Sequence, residues 1–331
     1  MVKGLYIMNQ APFELVYPEK LRKEIAELSD IYRPPMTNQQ IQQDLSVLDE
    51  VEVIFSGWGG PKLDQSLLDE APNLKAFFYA AGSVKSIATD AAWDRGILIT
   101  NAVKANAVPV AEFTLSQILF CLKKGWTFTR SIRNTKQFPG KPFDIPGTFG
   151  STVGIVSFST VGKIVCELLK PFDIKVIGYD PYIKDREAEK LGVELCSLDE
   201  VFKKSDVVSL HTPLLDETIG MIGKEHFSQM LPNSSFINTS RGAIVRESEM
   251  IEVLQDRSDI TAVLDVTFPE PPNQDSPLYY LENMVLTPHL AGSEGKECER
   301  MGYYMLEEFK RYLIGVPLQW QVKKEYFNIL A

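Results

Sequence analysis

Short apolar runs alternate with amphipathic stretches along most of the chain. In the first hundred residues this pattern predicts strands at 4–9, 31–34, 51–56, 74–80 and 97–101, and helices at 19–28, 38–48, 65–70 and 87–95. A longer stretch with one apolar face then predicts a continuous helix over 106–133, with Pro109 in its first turn. Alternation of this kind is typical of a parallel sheet covered by helices.

The same alternation resumes after residue 150. It predicts strands at 152–157, 174–179, 193–196, 207–211, 234–238, 260–266 and 284–288, and helices at 161–170, 198–203, 224–230, 247–255 and 301–313. The predicted fold class is therefore α/β, with two Rossmann-like or flavodoxin-like domains. Each is expected to be a doubly wound parallel sheet.

The stretch 152–181 (TVGIVSFSTVGKIVCELLKPFDIKVIGYDP) predicts a strand, a tight turn, a helix and a second strand that is followed by an acidic residue. Ser157, Ser159 and Gly162 stand where a dinucleotide-binding turn carries G-x-G-x-x-G. In such a unit the helix N-terminus takes a pyrophosphate and the acid, here Asp180, binds a ribose diol. A serine forced to positive φ costs on the order of 1 kcal/mol, and its hydroxyl is expected to recover part of this by bonding a phosphate oxygen. By itself the turn leaves a nucleotide site and a plain βαβ turn equally open.

Composition narrows the classes of protein to consider. The chain has 331 residues, enough for two domains, and a net charge of −10, which argues against non-specific nucleic-acid binding. No uninterrupted apolar run reaches the roughly 18 residues of a membrane span, and the N-terminus reads as a strand and not as a signal peptide. The four cysteines lack metal-binding or redox spacing, so we expect no metal site and free thiols in a reducing cytoplasm.

Polar side chains follow several strands of the second predicted sheet. Arg241 and His289 come just after predicted strands, and His211 and Asp265 stand at the ends of two others, with Glu270 five residues after Asp265. Carboxyl ends of parallel strands meet at one edge of a sheet, so these groups are expected to converge there. A guanidinium, a carboxylate and an imidazole at a dinucleotide crevice point to hydride transfer coupled to proton transfer. Histidine titrates near neutrality, and arginine grips a carboxylate with a planar fork.

The sequence resembles the D-isomer-specific 2-hydroxyacid dehydrogenases from about residue 74 to residue 292. The strings that carry the resemblance include TVGIVSFSTVG, INTSRGAIV, LDVTFPEPP and NMVLTPHLAGS, in this order. The resemblance implies an NAD-binding domain over 102–290, and a substrate domain formed by 1–101 and completed by 291–331. It also implies a cofactor cleft between the domains, a homodimer and a small 2-oxo or 2-hydroxy acid as substrate. Residues 137–150, rich in proline, glycine and aromatic side chains, are expected to pack against a second subunit.

Carried over residue by residue, the resemblance assigns Arg241 to the substrate carboxylate and 2-oxygen, His289 to acid/base catalysis and Glu270 as its partner. It assigns the backbone at Ala81 and Gly82 to the substrate carboxylate, although Gly82 also fits an ordinary left-handed turn glycine. The cofactor positions are Val110, Ser157, Ser159, Thr160, Val161, Gly162, Asp180, Pro181, His211, Thr212, Pro213, Thr218, Thr239, Ser240, Asp265, Ala291 and Gly292. Asp180 would repel a 2′-phosphate, so NAD is favoured over NADP. The remaining histidine, His226, is expected on a helix surface.

Two classes of function remain open at this point. The leading one is an NAD-dependent oxidoreductase; the alternative is a regulatory NAD(H)-binding protein of the same fold, similar to corepressors, with little or no turnover. The combination of Arg241, Glu270 and His289 weighs against a pure binding role. Formate oxidation is disfavoured, because that branch of the family resembles this pattern with glutamine where Glu270 stands. Phosphite oxidation is compatible with these residues, and the sequence does not identify the acid.

Overall fold

The computed structural model describes residues 1–141 and 144–329. The chain forms two compact units. The first unit is Met1–Asn106 together with Ser293–Ala331, and the second is Ala107–Gly292. The chain therefore builds most of the first unit, then all of the second, and returns to complete the first.

The first unit contains a five-stranded sheet in which all neighbouring strands are parallel. Its strands are β1 (Val2–Ile7), β2 (Ser29–Ile31), β3 (Val53–Ser56), β4 (Ala76–Tyr79) and β5 (Leu98–Asn101). The order β2-β1-β3-β4-β5 is that of flavodoxin-type sheets. The last three strands are short apolar runs, as expected for strands buried on both faces.

Helices cover both faces of this sheet. They are α1 (Gln10–Val16), α2 (Glu19–Leu28), α3 (Asn38–Gln43), α4 (Gln65–Glu70), α5 (Asp90–Asp94) and the last helix, α13 (Cys298–Leu313). One apolar core lies against α3, α4 and α5, and the other lies against α1, α2 and α13. In the second core Phe309 of α13 packs edge-on against Phe55 and Phe78, with ring centroids 5.0 and 5.6 Å apart.

The second unit contains a seven-stranded parallel sheet. Its strands are β6 (Thr152–Val156), β7 (Lys175–Tyr179), β8 (Val193–Leu195), β9 (Val207–Leu210), β10 (Ser235–Asn238), β11 (Thr261–Leu264) and β12 (Met284–Leu286). The order is β12-β11-β10-β9-β6-β7-β8, which is the Rossmann order extended by one strand. The strand order reverses between β6 and β9, so the crevice beyond their carboxyl ends is the topological switch point where such folds bind ligands.

Helices also cover both faces of the second sheet. They are α6 (Val103–Leu122), α7 (Gly125–Thr135), α8 (Thr160–Leu169), α9 (Asp185–Leu191), α10 (Leu198–Lys204), α11 (Lys224–Phe227) and α12 (Glu247–Asp256). Side chains of α6, α8 and α9 form the core on one face, and those of α10, α11 and α12 form the core on the other. The predicted α/β class with two doubly wound parallel sheets is confirmed.

The predicted continuous helix over 106–133 is wrong. Helix α6 ends at Leu122, and α7 begins at Gly125 after Lys124, which adopts a left-handed conformation with φ of 54°. At Gly125 a Cβ would overlap the ring of Phe120, so glycine allows the chain to turn closely against that ring. Helix α6 also begins at Val103, which places Pro109 inside the helix and not in its first turn.

Helix α6 is the one helix in the described residues that is long and apolar enough to cross a membrane by length and composition alone. Within its most apolar window, 56% of the helix is buried inside the protein. The core on one face of the second sheet includes Ala111, Ile118 and Leu122 of this helix. Burial of this kind is typical of a core helix.

Candidate active site

The turn after β6 has the geometry of a nucleotide-binding turn despite its serines. Ser157 adopts a φ of 75°, the conformation that glycine usually provides at the first position of the motif. A Cβ on Gly162 would overlap the carbonyl oxygen of Ser157, so this glycine allows close packing of α8 on the turn. Helix α8 begins at Thr160, and Ser159 before it makes no side-chain cap bond. The helix N-terminus therefore carries no cap from that hydroxyl.

Asp180, at the tip of β7, is bonded to this turn. Its Oδ2 accepts hydrogen bonds from the amide of Phe158 at 2.7 Å and from the hydroxyl of Ser157 at 3.1 Å. Its Oδ1 accepts from the amides of Tyr182 at 2.7 Å and Ile183 at 3.2 Å. The Ser157 hydroxyl, for which the sequence predicts a bond to a phosphate oxygen, donates to Asp180 in this structure. Phe158 was not among the predicted site residues, and no sequence signal marks it, since every residue except proline carries an amide.

His211 lies against the same turn and is buried. A Cβ on Gly162 would stand 3.4 Å from the Cβ of His211. The ring Nε2 forms a 2.9 Å hydrogen bond with the hydroxyl of Ser209, another residue that sequence reasoning missed. Burial lowers the pKa of His211 to about 3, so the ring is neutral near physiological pH.

This burial makes stability depend on pH. The pKa of His211 is lower in the folded protein (about 3) than its ordinary value of 6.5, so its contribution is fully present above about pH 6.5 and is lost as pH falls toward 3. We expect the wild type to lose about 2 kcal/mol of unfolding free energy between pH 7 and pH 5 through this group. Urea unfolding of His211→Gln at both pH values should show a pH dependence smaller by that amount. An unchanged pH dependence would contradict the assignment.

The predicted cofactor residues after β9 and β10 contact one another. The hydroxyl of Thr218 accepts from the amide of Leu215 at 2.8 Å and lies 2.7 Å from the carbonyl oxygen of Pro213. The hydroxyl of Ser240 donates to the carbonyl oxygen of Thr212. The hydroxyl of Thr212 is buried and has no hydrogen-bond partner within the described part of the chain. These loops are therefore held together while leaving one buried polar group unsatisfied.

His226 is not on a helix surface, and that prediction is wrong. The side chain is buried, and its Nδ1 accepts a 3.2 Å hydrogen bond from the amide of Gly223. Its ring lies 5.1 Å from that of Phe202 in the core. Burial lowers its pKa as well. The imidazole of His226 thus caps the start of its own helix by accepting from the amide of Gly223. A helical pattern in the sequence does not indicate this role.

Glu270 and His289 form a direct pair. The Nδ1 of His289 lies 2.6 Å from Oε1 of Glu270, and both side chains are exposed. His289 adopts a φ of 54°, an uncommon conformation for histidine that often marks functional sites. A cavity of about 420 Å³ lies beside the pair. It is lined mainly by apolar atoms, and Leu286 and Tyr279 are among its lining residues.

Asp265 fixes the backbone around this histidine. Its buried carboxylate accepts from the hydroxyl of Thr287 at 2.6 Å and from the amides of Leu290 and Ala291, each at 2.9 Å. The amide of His289 donates to the carbonyl oxygen of Asp265 at 2.9 Å. The hydrogen bonds of this carboxylate thus fix the conformation of the segment that carries His289. Thr287 has no role in the sequence-based assignment, although it stands within the string LTPH.

Arg241 lies next to the loop that carries Glu270. The following residue, Gly242, packs so closely on the backbone of Thr267 and Phe268 that a Cβ would overlap it. The Nη1 of Arg241 donates to the carbonyl oxygen of Ser240 at 2.6 Å. The side chain presents atoms to solvent, yet surrounding protein atoms lower its pKa, while the charge of Glu270 opposes this shift. The second unit thus brings Arg241 within electrostatic range of the Glu270–His289 pair.

The other predicted cofactor residues lie at or near these strand ends. Thr239 is buried, and its hydroxyl lies 3.0 Å from that of Thr114 on α6. Val110 is buried on the same helix. Val161 follows Thr160 in the first turn of α8, Pro181 follows Asp180 at the surface, and Gly292 ends the second unit.

The predicted substrate cradle belongs to the first unit. The amide of Ala81 donates to the carbonyl oxygen of Tyr79 at 2.9 Å, so it is already engaged. Within the described residues, the amide of Gly82 has no hydrogen-bond partner. Gly82 does not have a positive φ, so the reading of it as a left-handed turn glycine is wrong. Of the two predicted residues, only Gly82 offers an unengaged amide.

Comparison with known proteins gives consistent matches. A family model described as "D-isomer specific 2-hydroxyacid dehydrogenase, NAD binding domain" matches residues 115–291, more than half of the chain. The D-3-phosphoglycerate dehydrogenase of Methanocaldococcus jannaschii is 31% identical over 297 residues, which cover 89% of this chain and 55% of that protein. The hydroxypyruvate reductase of Thermotoga maritima is 29% identical over 84% of this chain and 90% of that protein.

Solved structures of similar fold include dehydrogenases of the same family. The D-lactate dehydrogenase of Aquifex aeolicus, crystallised with NAD and lactic acid, has a TM-score of 0.70 and 25% identity, covering 94% of this chain and 96% of that one. The chain spans about half the length of the D-3-phosphoglycerate dehydrogenases that it matches. On the match to more than half of its sequence, this chain belongs to the family of D-isomer specific 2-hydroxyacid dehydrogenases.

Proposed function

We propose that this chain is an NAD-dependent oxidoreductase that interconverts a small D-2-hydroxy acid and the corresponding 2-oxo acid. The observation that carries the proposal is the 2.6 Å contact between His289 Nδ1 and Glu270 Oε1. Arg241 lies in electrostatic range of the same carboxylate. An acid/base group, its carboxylate partner and a fixed cation are the protein groups that this reaction needs.

The imidazole of His289 is the proposed site of proton transfer. With Nδ1 held by Glu270, the other ring nitrogen, Nε2, is the atom that faces substrate and carries the exchangeable proton. In the reducing direction His289 donates this proton to the 2-oxygen, and in the oxidising direction it accepts it. Glu270 fixes the tautomer and stabilises the charged imidazole. When bound, NAD supplies or accepts the hydride at C2.

Arg241 is the proposed anchor for the substrate. Its guanidinium remains charged at any physiological pH and can hold a carboxylate and the 2-oxygen with a planar fork. Binding at two points fixes C2 relative to His289, which is the orientation that proton transfer demands. For the first unit, taken by itself, we propose that the free amide of Gly82 is a donor for a substrate carboxylate.

The residues at the switch point fit a dinucleotide. The turn from Ser157 to Gly162 leads into an α8 N-terminus that lacks a side-chain cap, and Thr212 nearby holds a buried hydroxyl without a partner in the described residues. Asp180 is an acid at the end of β7, which disfavours a 2′-phosphate. We therefore propose that these residues hold NAD in preference to NADP, with the nicotinamide side near Val110 and Thr239.

Turnover of a panel of 2-oxo acids tests the proposal. Glyoxylate, pyruvate, hydroxypyruvate, phenylpyruvate and 2-ketoisocaproate are each supplied with NADH or NADPH, and the loss of nicotinamide absorbance is followed. We expect reduction of at least one acid with NADH, and a lower kcat/KM with NADPH. Binding of NADH without turnover of any acid would contradict an enzymatic role and favour a regulatory NAD(H)-binding protein.

We propose a cytoplasmic location and a homodimer. The four cysteines are free, as in a reducing compartment. Helix α7 has no buried residue although it is amphipathic, and Phe138 and Phe149 are 92% and 83% exposed within the segment 137–150. Pro142 and Phe143 of that segment lie outside the described residues. Exposed aromatic side chains next to a helix that has no fully buried residue support an interface with a second copy.

Light scattering should report twice the chain mass of 37.3 kDa at micromolar concentration. Phe138→Glu places a charge in the proposed interface and should shift the mass toward that of a single chain. Ile314→Glu is the matched control, because Ile314 is exposed but lies outside this segment, and it should leave the mass unchanged. A single-chain mass for the wild type would contradict the dimer.

A further inference from the structure

The carboxylate of Asp180 has donors at each of its usual acceptor positions. A carboxylate offers about four such positions on its two oxygens. The amides of Tyr182 and Ile183 bond Oδ1, while the amide of Phe158 and the hydroxyl of Ser157 bond Oδ2. An acid that is to accept hydrogen bonds from a ribose diol must release at least one of these donors.

The four donors differ in how easily they can leave. Three are backbone amides, fixed by the turn after β6 and by the turn after β7, so removing them requires a rearrangement of the chain. The fourth is the Ser157 hydroxyl, which rotation about a single side-chain bond moves away. Its bond, at 3.1 Å, is longer than the 2.7 Å bond from the Phe158 amide to the same oxygen. The ribose would therefore displace Ser157.

The backbone conformation at position 157 makes the side-chain hydroxyl important for stability. Glycine adopts a φ of 75° without strain and has no side chain that could reach Asp180, whereas serine pays a steric cost for this conformation. The hydroxyl–carboxylate bond stabilises the strained serine in the ligand-free protein, and that stabilisation is lost when the ribose takes its place.

We propose that Ser157 is an internal competitor for Asp180, which weakens binding of the adenosine ribose and so sets cofactor affinity below what a glycine turn would give. This inference rests on the proposed function, because it assumes that the turn binds a dinucleotide. It makes Ser157 a residue that acts on the cofactor through Asp180. The weakening of binding is expected only for ligands that carry ribose hydroxyls.

Calorimetric binding of ADP and 2′,3′-dideoxy-ADP tests this inference without any turnover. In Ser157→Ala, which removes the hydroxyl but keeps a Cβ, ADP should bind about 3- to 10-fold more tightly, the range expected for loss of one competing hydrogen bond of typical net strength. Dideoxy-ADP cannot donate to Asp180 from its sugar, so its affinity should not change. Ser157→Gly should show the same selective gain for ADP.

Two further measurements separate competition from a general structural effect. Ser157→Ala should lower the melting temperature, since strain remains while a bond is lost, and Ser157→Gly should recover it because glycine relieves the strain. Affinity for ADP and stability would then change in opposite directions in the alanine variant. Ser159→Ala, which removes a hydroxyl from the same turn that does not bond Asp180, should change the affinities for ADP and dideoxy-ADP by the same factor.

The outcomes are distinguishable. Weaker ADP binding by Ser157→Ala would show that the hydroxyl orients Asp180 for the ribose, and would overturn the competition. Equal changes for ADP and dideoxy-ADP in that variant would also overturn it. If neither the wild type nor any variant binds ADP or NADH at millimolar concentration, the proposed function itself fails, and the inference fails with it.

Discussion

Replacing His289 by asparagine is expected to lower kcat by about 10²- to 10⁴-fold, the usual contribution of a general acid/base. Asparagine cannot transfer a proton near neutral pH, and it removes the partner that Glu270 holds at 2.6 Å. Asparagine tolerates positive φ better than most residues, so the conformation at position 289, with φ of 54°, should be kept. Loss of activity should therefore reflect lost chemistry and not lost folding.

Two measurements verify that interpretation. The Kd for NADH should stay within about twofold of wild type, because the proposed role of His289 is toward substrate. His226→Asn is the matched control: this histidine is buried outside the site, so its replacement should lower stability and leave kcat of the folded protein unchanged. Retention of more than a tenth of wild-type kcat by His289→Asn would exclude the proposed role.

Replacing Arg241 by lysine is expected to lower kcat/KM by about 10²-fold, although the charge is conserved. Lysine offers a point charge and cannot hold a carboxylate with two parallel hydrogen bonds. Loss of one charge-assisted bond and of the orientation that it provides accounts for a change of this size. The effect should appear with the best acid of the panel at saturating NADH.

Arg246→Lys is the matched control for that variant. Arg246 pairs with Glu225 at 2.5 Å and with Glu249 at 2.9 Å, on the same unit but with no proposed contact to substrate. Its replacement should leave kcat/KM within about twofold of wild type, as is usual for exposed ion pairs. If both arginine variants behave alike, Arg241 has no special function in substrate binding.

Each strand of both sheets could be predicted from sequence, but β2 (Ser29–Ile31) shares only Ile31 with the strand predicted at 31–34. Buried parallel strands are short apolar runs, and β3 and β9 illustrate this with every residue buried. Two short helices escaped prediction, α1 and α9. Each has only seven residues and buries just two of them, so the helical period is hardly expressed.

Errors arose where contacts between distant residues decide the conformation. The break between α6 and α7 depends on Lys124 adopting a left-handed conformation and on the ring of Phe120 lying against Gly125. Gly125 is a residue type that often follows the end of a helix, but the apolar pattern continues past it, and neither Lys124 nor Phe120 signals a break. The burial of His226 likewise depends on the ring of Phe202, a helix away along the chain.

The candidate site could be predicted in residue type but not in geometry. The strings around Arg241, Glu270 and His289 identify the groups, whereas the 2.6 Å contact requires the fold. Sequence patterns do not show which hydrogen bonds are already formed within the protein. For this reason the engagement of Asp180 with Ser157, and of Asp265 with Thr287, became visible only in the structure.

The return of α13 to the first unit has a consequence for how the nascent chain folds at the ribosome. Phe309 of α13 covers Phe55 and Phe78, and Gly302 lies so close to the backbone of Val16 that a Cβ would overlap it. All of the second unit is synthesised before this helix emerges. The first unit is thus completed only after the second has been synthesised, and its aromatic face stays accessible to chaperones until α13 has emerged.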